Sequence, residues 1–377
     1  MIQFRVLKVF AIMFLINIIP ASAAFAAQPT FEQRLDFRLK KMPERLQIPG
    51  KSAVFEPSPR NSQTITILSE FPIDTYFSVI SGMEDNIVIG SMAGDTQRIR
   101  YKYLAEPSTP LYAYSVTKFI IGFLVAEQVC NGKMALVDKG GDLSDRLKGT
   151  AFEDVSLGSI LGMYSGVHKD ADDFISENLT KNNQSYREIV YQGLRMYEQL
   201  KKKRIPDAEP NTHWQYSNFD SNALALILSD RLGQRTGELF KDSIWNHIDP
   251  EHFGYWETDG DGEAMGGYGL ALSATDWLKV GRRLALQIGN SKCLRNHYFA
   301  DGFDTYKNNY AIWVNHSWAN PDNRYQFGGI GHDGQILAID VNNGNVIFIY
   351  SNKSDGYDEH ISTVTWKLLS EIESFSQ

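Results

Sequence analysis

An apolar helix with a lysine in its first turn is the feature that most constrains this sequence. Residues 119–126 read FIIGFLVA and have no polar face, and a helix that is apolar on every side is normally buried. Its first turn carries Ser115 and Lys118, although a lysine is rarely buried without a partner. The sequence therefore predicts a core helix with an amine at its head, ending at the helix stop Asn131-Gly132.

The first residues have the pattern of a secretory signal peptide. Basic residues, an apolar stretch and small residues suited to cleavage follow one another within residues 1–26. The apolar stretch is shorter than the roughly 20 residues of a membrane span, which argues against an uncleaved anchor. We expect an exported, periplasmic or secreted bacterial protein with a signal peptide at 1–26, an N-terminal extension at 27–62 and the main domain at 63–377.

The composition excludes several classes of protein. A net charge of −8 argues against nucleic acid or anionic membranes as partners. Two cysteines are too few for a disulfide scaffold. Cys130 and Cys293 could form one bridge in an oxidising compartment or remain two thiols, and a buried thiol is favoured for Cys130 because it ends the apolar helix.

The sequence gives no metal or cofactor signal. The eight histidines lack the spacing of metal ligands. The DGDGE stretch at 259–263 lacks the later Gly and Glu of a calcium loop. We therefore expect no metal and no cofactor.

Strand patterns lie towards both ends of the chain, and helical patterns lie between them. Residues 64–103 contain runs rich in β-branched and aromatic residues, and residues 335–352 contain two more such runs around a hairpin signal at Asn343-Gly344. Residues 140–265 contain several helical segments, of which 221–233 is the clearest. This order predicts an α/β (α+β) fold, with an antiparallel sheet built from the N- and C-terminal segments, helices that flank it, and an all-helical subdomain at roughly 140–265.

Two more helices are predicted after this region. Ser273 and Asp276 have the spacing of an N-cap and its N3 partner at the start of SATDWLKVGRRLALQIG. Apolar residues recur at helical spacing from 361 to 375.

Ser115 and Lys118 are candidates for nucleophilic catalysis. They are three residues apart and so share one face of the helix. A serine hydroxyl needs a neighbouring base to become a nucleophile, and a desolvated lysine can serve as that base. Unpaired N–H groups at a helix N-terminus can also stabilise a developing oxyanion. The S-x-x-K spacing is a weak signal by itself, because it occurs by chance in most chains of this length.

Two further motifs strengthen the signal. Tyr216-Ser217-Asn218 precedes a predicted helix, and His332-Asp333-Gly334 leads into a predicted strand. With S-x-x-K, in this order, they resemble the serine β-lactamase and penicillin-binding-protein superfamily. The Tyr-x-Asn form is similar to that of class C enzymes, D-alanyl-D-alanine peptidases, family VIII esterases and 6-aminohexanoate-dimer hydrolases. Segments 153–167, 209–218 and 266–284 also resemble the family, so the resemblance covers most of the mature chain.

The resemblance implies a β-lactamase-like sandwich and a set of catalytic roles. Ser115 would attack the substrate carbonyl and form an acyl-enzyme. Lys118 and Tyr216 would share the work of the general base. Asn218 would orient Lys118 or the substrate amide.

The third motif departs from the K-[ST]-G of the family. His332 and Asp333 stand where a lysine and a hydroxyl residue help to hold the substrate carboxylate of β-lactamases. Asp333 should repel such a carboxylate by about 1 kcal/mol in a partly screened cleft, so we expect poor β-lactam hydrolysis. Gly334 would let substrate approach the strand edge, and the N–H groups of Ser115 and Gln335 would form the oxyanion hole.

These implications predict a serine hydrolase that cleaves an amide or ester of a small-molecule or peptide-like substrate, with no stable membrane anchor after signal cleavage. Two alternatives stay open. One is a β-lactamase or D-alanyl-D-alanine carboxypeptidase. The other is a non-hydrolytic penicillin-binding-like sensor that becomes acylated and stalls.

Overall fold

The computed structural model describes residues 52–57, 65–68, 86–101, 106–167, 200–201, 204–299, 306–307, 312–351 and 359–372. The predicted signal peptide, most of the predicted N-terminal extension and part of the strand-rich stretch 64–103 lie outside the described residues. Among the helices in those ranges, none has the length and apolarity needed to cross a membrane.

The strands in chain order are β1 (Ser52–Phe55), β2 (Ile65–Leu68), β3 (Asn86–Ala93), β4 (Thr96–Tyr101), β5 (Leu111–Tyr112), β6 (Gly254–Glu257), β7 (Leu270–Leu272), β8 (Tyr306–Lys307), β9 (Ile312–Val314), β10 (Ser317–Ala319), β11 (Gln326–Gly331), β12 (Gln335–Asp340) and β13 (Val346–Ser351). The helices are α1 (Val116–Cys130), α2 (Gly140–Leu143), α3 (Leu157–Gly162), α4 (Asn218–Leu232), α5 (Thr236–Ser243), α6 (Ala274–Asn290), α7 (Lys292–Phe299) and α8 (Glu359–Glu371).

A large sheet joins the two ends of the chain. Its strand order is β2-β4-β3-β13-β12-β11-β10-β9-β8, so the early strand β3 pairs with the last strand β13. The neighbouring strands are antiparallel except β2 and β4, which are parallel. The α/β fold with a sheet built from both ends of the sequence is confirmed.

Both faces of the large sheet are covered by helices. Along β12, Leu337 and Ile339 belong to the main core, against which α6 packs. Ile336 and Ala338 face the other way and pack in a second cluster that includes Trp366 of α8. Alternate residues of a strand point to opposite faces, so an almost continuous apolar strand such as β12 is what a sheet covered on both sides requires.

The sequence patterns predict one sheet, but the structure contains a second one. Strands β1, β6, β7 and β5 form it in that order. Strand β6 lies inside the stretch expected to be all-helical, and β1 lies inside the predicted N-terminal extension. Both strands are four residues long, and they pair with each other across about 200 residues, so no local periodicity indicates this pairing.

Helix α1 lies at the centre of the protein, as the apolar run predicts. Every residue from Val116 to Ala126 is buried. The helix ends at Cys130, and Asn131 of the predicted stop is its C-cap. Helix α4 ends at Gly233 in a left-handed conformation, and at the start of α6 the Ser273 hydroxyl accepts from the Asp276 N–H at 3.1 Å, as its capping pattern predicts.

The far end of α1 is joined covalently to α7. Cys130 and Cys293 form a disulfide, with their Cα atoms 5.8 Å apart. The buried thiol favoured for Cys130 is therefore wrong. Cys130 is only half-buried, and Cys293 is exposed on a helix that the fold brings beside it. The bridge depends on a contact between residues 163 positions apart, which the apolar pattern around Cys130 cannot reveal.

Candidate active site

Ser115 lies where the small sheet meets the central helix. Strand β5 pairs with β7, and the N–H of Ala113 continues this pairing by donating to the carbonyl of Leu270 at 3.2 Å. Tyr114 then has a positive φ of 47°, which is uncommon for a residue with a side chain. This sharp change of direction leaves Ser115 at the N-cap of α1, half-buried, with its side chain free of any capping bond.

Lys118 is buried one turn into the helix and is surrounded by oxygen atoms. Its side chain is 1 % exposed. Its Nζ lies 3.0 Å from Ser115 Oγ, 2.6 Å from Asn218 Oδ1 and 2.6 Å from the carbonyl oxygen of Gly267. The structure thus brings together three of the predicted site residues and adds a backbone carbonyl to them.

These three oxygen atoms differ in what they can do. The Asn218 and Gly267 oxygens can only accept hydrogen bonds, whereas the Ser115 hydroxyl can accept or donate. A neutral amine has two N–H groups and one lone pair. If the two N–H groups bind the two obligate acceptors, the lone pair faces the Ser115 hydroxyl. The arrangement also suits an ammonium, which would donate its third proton to Ser115. It can therefore accommodate a proton on either partner.

Aromatic rings form another side of the site. Lys118 Nζ lies over the ring of Tyr216, 4.7 Å from its centroid. The Tyr216 ring stacks on Trp318 with centroids 6.5 Å apart, and Trp318 meets Trp214 edge to face at 6.1 Å. All three rings are half-buried, and an ammonium is attracted to the face of an aromatic ring.

The third motif lies beside the start of α1. Strand β11, which leads into it, approaches so closely that a Cβ on Gly331 would lie 2.4 Å from the carbonyl oxygen of Ala113. The exposed ring of His332 meets Tyr114 edge to face at 5.8 Å. His332, Asp333 and Gly334 form a short 3₁₀ turn, in which the side chain of Asp333 lies outside the described part of the chain.

Gly334 and Gln335 close this turn. Gly334 has a φ of 85°, a left-handed conformation that favours glycine. Gln335 pairs with Gly331 at the start of β12, and its buried side chain donates from Nε2 to the carbonyl of Ser351 at 2.6 Å. The side chain of Gln335 is thus occupied within the sheet.

Burial shifts the pKa of two titratable groups close to the site in the direction that favours their neutral forms. His316 lies in the turn between β9 and β10, and its Nδ1 donates to the carbonyl of Leu161 at 2.7 Å. Burial lowers the pKa of His316 to about 3, against the opposing effect of that hydrogen bond, and the charge of Lys118 lowers it further. Burial also raises the pKa of Asp220 well above its usual range, although the Ser165 hydroxyl donates to it at 2.6 Å.

The sequence motifs did not identify Gly267 or His316 as parts of the site. Gly267 lies in the Gly-Gly pair of segment 266–284, which resembles the family. Any residue type can supply a backbone carbonyl, however, so the contact of this carbonyl with Lys118 cannot be predicted from the residue. Asn315 and His316 both have a positive φ, 45° and 61°. An Asn-His pair between two β-rich runs could have indicated a tight turn, but nothing local connects it with Lys118.

One group of potential metal ligands occurs within the described ranges. Cys130, Cys293 and His297 have donor atoms within 4.8 Å of one another. The two sulfur atoms are bonded to each other in the disulfide, so this group presents no thiolates to an ion.

Comparisons with known proteins agree with this fold. The β-lactamase family model matches residues 91–369. A candidate 6-aminohexanoate-dimer hydrolase from Bacillus anthracis superimposes with a TM-score of 0.68 at 18 % identity, over 91 % of this chain and 95 % of that protein. A D-stereospecific amidohydrolase from Streptomyces sp. gives 0.62 at 13 % identity, over 81 % and 99 %.

A penicillin-binding protein from Bacillus halodurans gives a TM-score of 0.59 at 14 % identity, over 80 % of this chain and 99 % of that protein. None of the curated proteins matches the sequence. The structural neighbours are too distant in sequence to show more than the fold, whereas the family model spans well over half of the chain. The chain therefore belongs to the β-lactamase family and is a hydrolase of the serine β-lactamase and penicillin-binding-protein superfamily.

Proposed function

We propose that the protein is an exported serine hydrolase that cleaves an amide or ester through an acyl-enzyme on Ser115. The observation that carries this proposal is the 3.0 Å contact between Ser115 Oγ and the buried Lys118 Nζ. A base within hydrogen-bonding distance of a hydroxyl at a helix N-terminus is the arrangement that nucleophilic catalysis needs.

In the proposed reaction, Lys118 and Tyr216 share the work of the base. The proton of the Ser115 hydroxyl passes to this pair as the oxygen attacks the substrate carbonyl carbon. The N–H groups of Ser115 and Gln335 stabilise the resulting oxyanion. Collapse of the tetrahedral intermediate breaks the bond to the amine or alcohol, which leaves with the proton. Water then releases the acid from Ser115 by the same steps.

Three observations support the roles of the other predicted residues. Asn218 contacts Lys118, the Tyr216 ring lies beside the same amine, and the third motif adjoins the start of α1. Export is supported by the signal-peptide pattern and by the disulfide, which is typical of oxidising compartments. Two structural neighbours are named for amide hydrolysis, which supports amides among the test substrates.

A substrate screen with two variants tests the proposal. The substrates are short-chain p-nitrophenyl esters, nitrocefin, D-Ala-D-Ala peptides and aminohexanoate oligomers. Ser115→Ala should abolish every activity, and intact-mass measurements should detect an acyl adduct only when Ser115 is present. Ser144→Ala serves as the control, because Ser144 is a buried serine that binds Asp230 away from the site.

Each result separates the candidate functions. Activity that survives in Ser115→Ala would refute the proposed nucleophile. Ordinary efficiency with nitrocefin would favour a β-lactamase. A stable adduct on Ser115 without turnover of any substrate would favour a sensor.

A further inference from the structure

The loop that brings its carbonyl to Lys118 is itself held by buried side chains. The N–H of Gly267 donates to Asn222 Oδ1 at 3.2 Å. The indole N–H of Trp256 lies 2.9 Å from the carbonyl of Met265 and 3.3 Å from that of Tyr268. Asn222 and Trp256 are 4 % and 0 % exposed. The loop is thus fixed on both sides of the carbonyl that contacts the amine.

Two asparagines of one helix are connected with the Lys118 amine, one by direct contact and the other through Gly267. Asn218 and Asn222 lie one turn apart in α4 and therefore share a face. Asn218 contacts Lys118 directly, whereas Asn222 contacts the N–H of Gly267, the residue whose carbonyl contacts Lys118. A Cβ on Gly267 would lie 2.7 Å from Asn218 Oδ1, so the loop lies directly against the helix.

We propose that Asn222 is a positioning residue for Lys118. By holding Gly267, it keeps the Gly267 carbonyl where this oxygen and Asn218 Oδ1 receive both N–H groups of the neutral amine. The lone pair of the amine is then directed at the Ser115 hydroxyl. This inference rests on the proposed function of Ser115 and Lys118, and it assigns to Asn222 a role that none of the sequence motifs contains.

Loss of this support should change the reaction more than the binding of substrate. Without Asn222, the Gly267 carbonyl can move and the amine keeps one fixed acceptor instead of two. The lone pair then points at Ser115 for a smaller fraction of the time. A misplacement of about 1 Å in a catalytic group can cost as much as about 100-fold in rate.

The test compares two substitutions of Asn222 that differ in whether an acceptor remains. Asn222→Leu has a similar size but no acceptor, and should lower kcat by about 10- to 100-fold with KM nearly unchanged. Asn222→Asp keeps an oxygen that can accept from Gly267, and should recover most of kcat. Both are measured on the best substrate of the screen, and the rate of Ser115 acylation by p-nitrophenyl acetate is followed by mass spectrometry.

A pH profile distinguishes positioning from a general effect on packing. Among the described residues, the groups that face Lys118 include the Ser115 hydroxyl, the Asn218 and Gly267 oxygens, the Tyr216 ring and the neutral imidazole of His316. Asn222 is 4 % exposed, so burial should keep an acid at position 222 protonated, and its carbonyl oxygen can accept from Gly267 as the amide oxygen does. Without the Gly267 carbonyl as a fixed acceptor the ammonium is less stabilised, so the acid limb of kcat/KM should move to lower pH in Asn222→Leu and keep its wild-type position in Asn222→Asp.

Thr236→Val is the matched control. Thr236 donates to the carbonyl of Ala225 at 2.8 Å, so this variant also removes one buried hydrogen bond to α4, but it leaves the loop intact. Its kcat should stay within about twofold of wild type. The inference is wrong if Asn222→Leu keeps wild-type kcat, or if Asn222→Asp does not recover kcat. If Ser115→Ala remains active, it is the proposed function that fails.

Discussion

The two ends of helix α1 are held in different ways. At the first turn, Lys118 is held by hydrogen bonds to oxygen atoms of Ser115, Asn218 and Gly267. At the last residue, Cys130 is held by a covalent bond to Cys293 of α7. Between the two ends, every residue from Val116 to Ala126 is buried.

This difference matches what each end has to do. Hydrogen bonds at the first turn can exchange donor and acceptor when a proton moves, which a covalent bond cannot do. At the other end a fixed link is sufficient, because no group of the proposed reaction lies there. Changes at the first turn should therefore affect mainly activity, and changes at the last residue should affect mainly stability.

The largest effect is expected from Lys118→Met. This change removes the proposed base and should lower kcat/KM by at least about 1,000-fold. The free energy of unfolding should fall by about 1–2 kcal/mol, because two buried acceptors lose their donor. Steady-state kinetics and urea denaturation measure the two effects.

The matched control is Lys279→Met, which removes another buried lysine. Lys279 contacts Glu251 at 3.0 Å and the carbonyl of Asp249 at 2.8 Å, away from Ser115. It should be destabilising and leave activity within about threefold of wild type. Equal losses of activity in the two variants would show that removing any buried lysine lowers activity, and that Lys118 has no special role in the reaction.

The second prediction concerns the disulfide. Replacing both Cys130 and Cys293 by alanine should lower the free energy of unfolding by about 3 kcal/mol, below the roughly 5 kcal/mol that chain entropy gives for a separation of 163 residues. The kcat of the folded variant should stay within about twofold of wild type. Wild type treated with a phosphine reductant should show the same shift in denaturation. A large loss of kcat without unfolding would show that the far end also controls the chemistry.

The third prediction concerns His316, which packs beside the middle of α1. Its pKa falls from 6.5 to about 3 on folding, so below pH 6.5 the unfolded chain takes up a proton that the folded protein does not. Stability is therefore lost as pH falls, by about 2 kcal/mol between pH 7 and pH 5 from this residue. His316→Asn, which can still donate to Leu161, should lack this part of the loss.

Urea denaturation at pH 7 and pH 5 measures this contribution. His247→Asn, at an exposed histidine, is the control and should follow wild type. If His316→Asn loses as much stability as wild type over this range, the buried neutral imidazole does not make the predicted contribution.

The smallest effect is expected at the third motif, His332-Asp333-Gly334, which lies beside the N-terminus of α1. Asp333→Ser removes an acid that should repel a substrate carboxylate. It should raise kcat/KM about fivefold for carboxylate-bearing substrates such as nitrocefin, which corresponds to about 1 kcal/mol. A neutral ester is the control substrate and should not change. An equal effect on both substrates would contradict the charge argument.

Much of the fold follows from local patterns in the sequence. The apolar run 119–126 predicts the buried α1, the Ser273 and Asp276 pair predicts the start of α6, and the Asn343-Gly344 signal predicts the β12–β13 hairpin. Each pattern spans a few residues and specifies a backbone conformation by itself. The four-residue strands of the small sheet carry too few residues for such a pattern, and their pairing is long-range.

The sequence alone determined the buried helix with an amine at its head and the order of three motifs that resemble those of the family. Only the tertiary structure decided which atoms meet that amine and which residue closes the far end of the helix. Asn218 and Gly267 are 100 and 149 residues from Lys118, and Cys293 is 163 residues from Cys130. Contacts over such separations arise from the packing of whole elements. The residues at the two ends of each contact do not encode it locally.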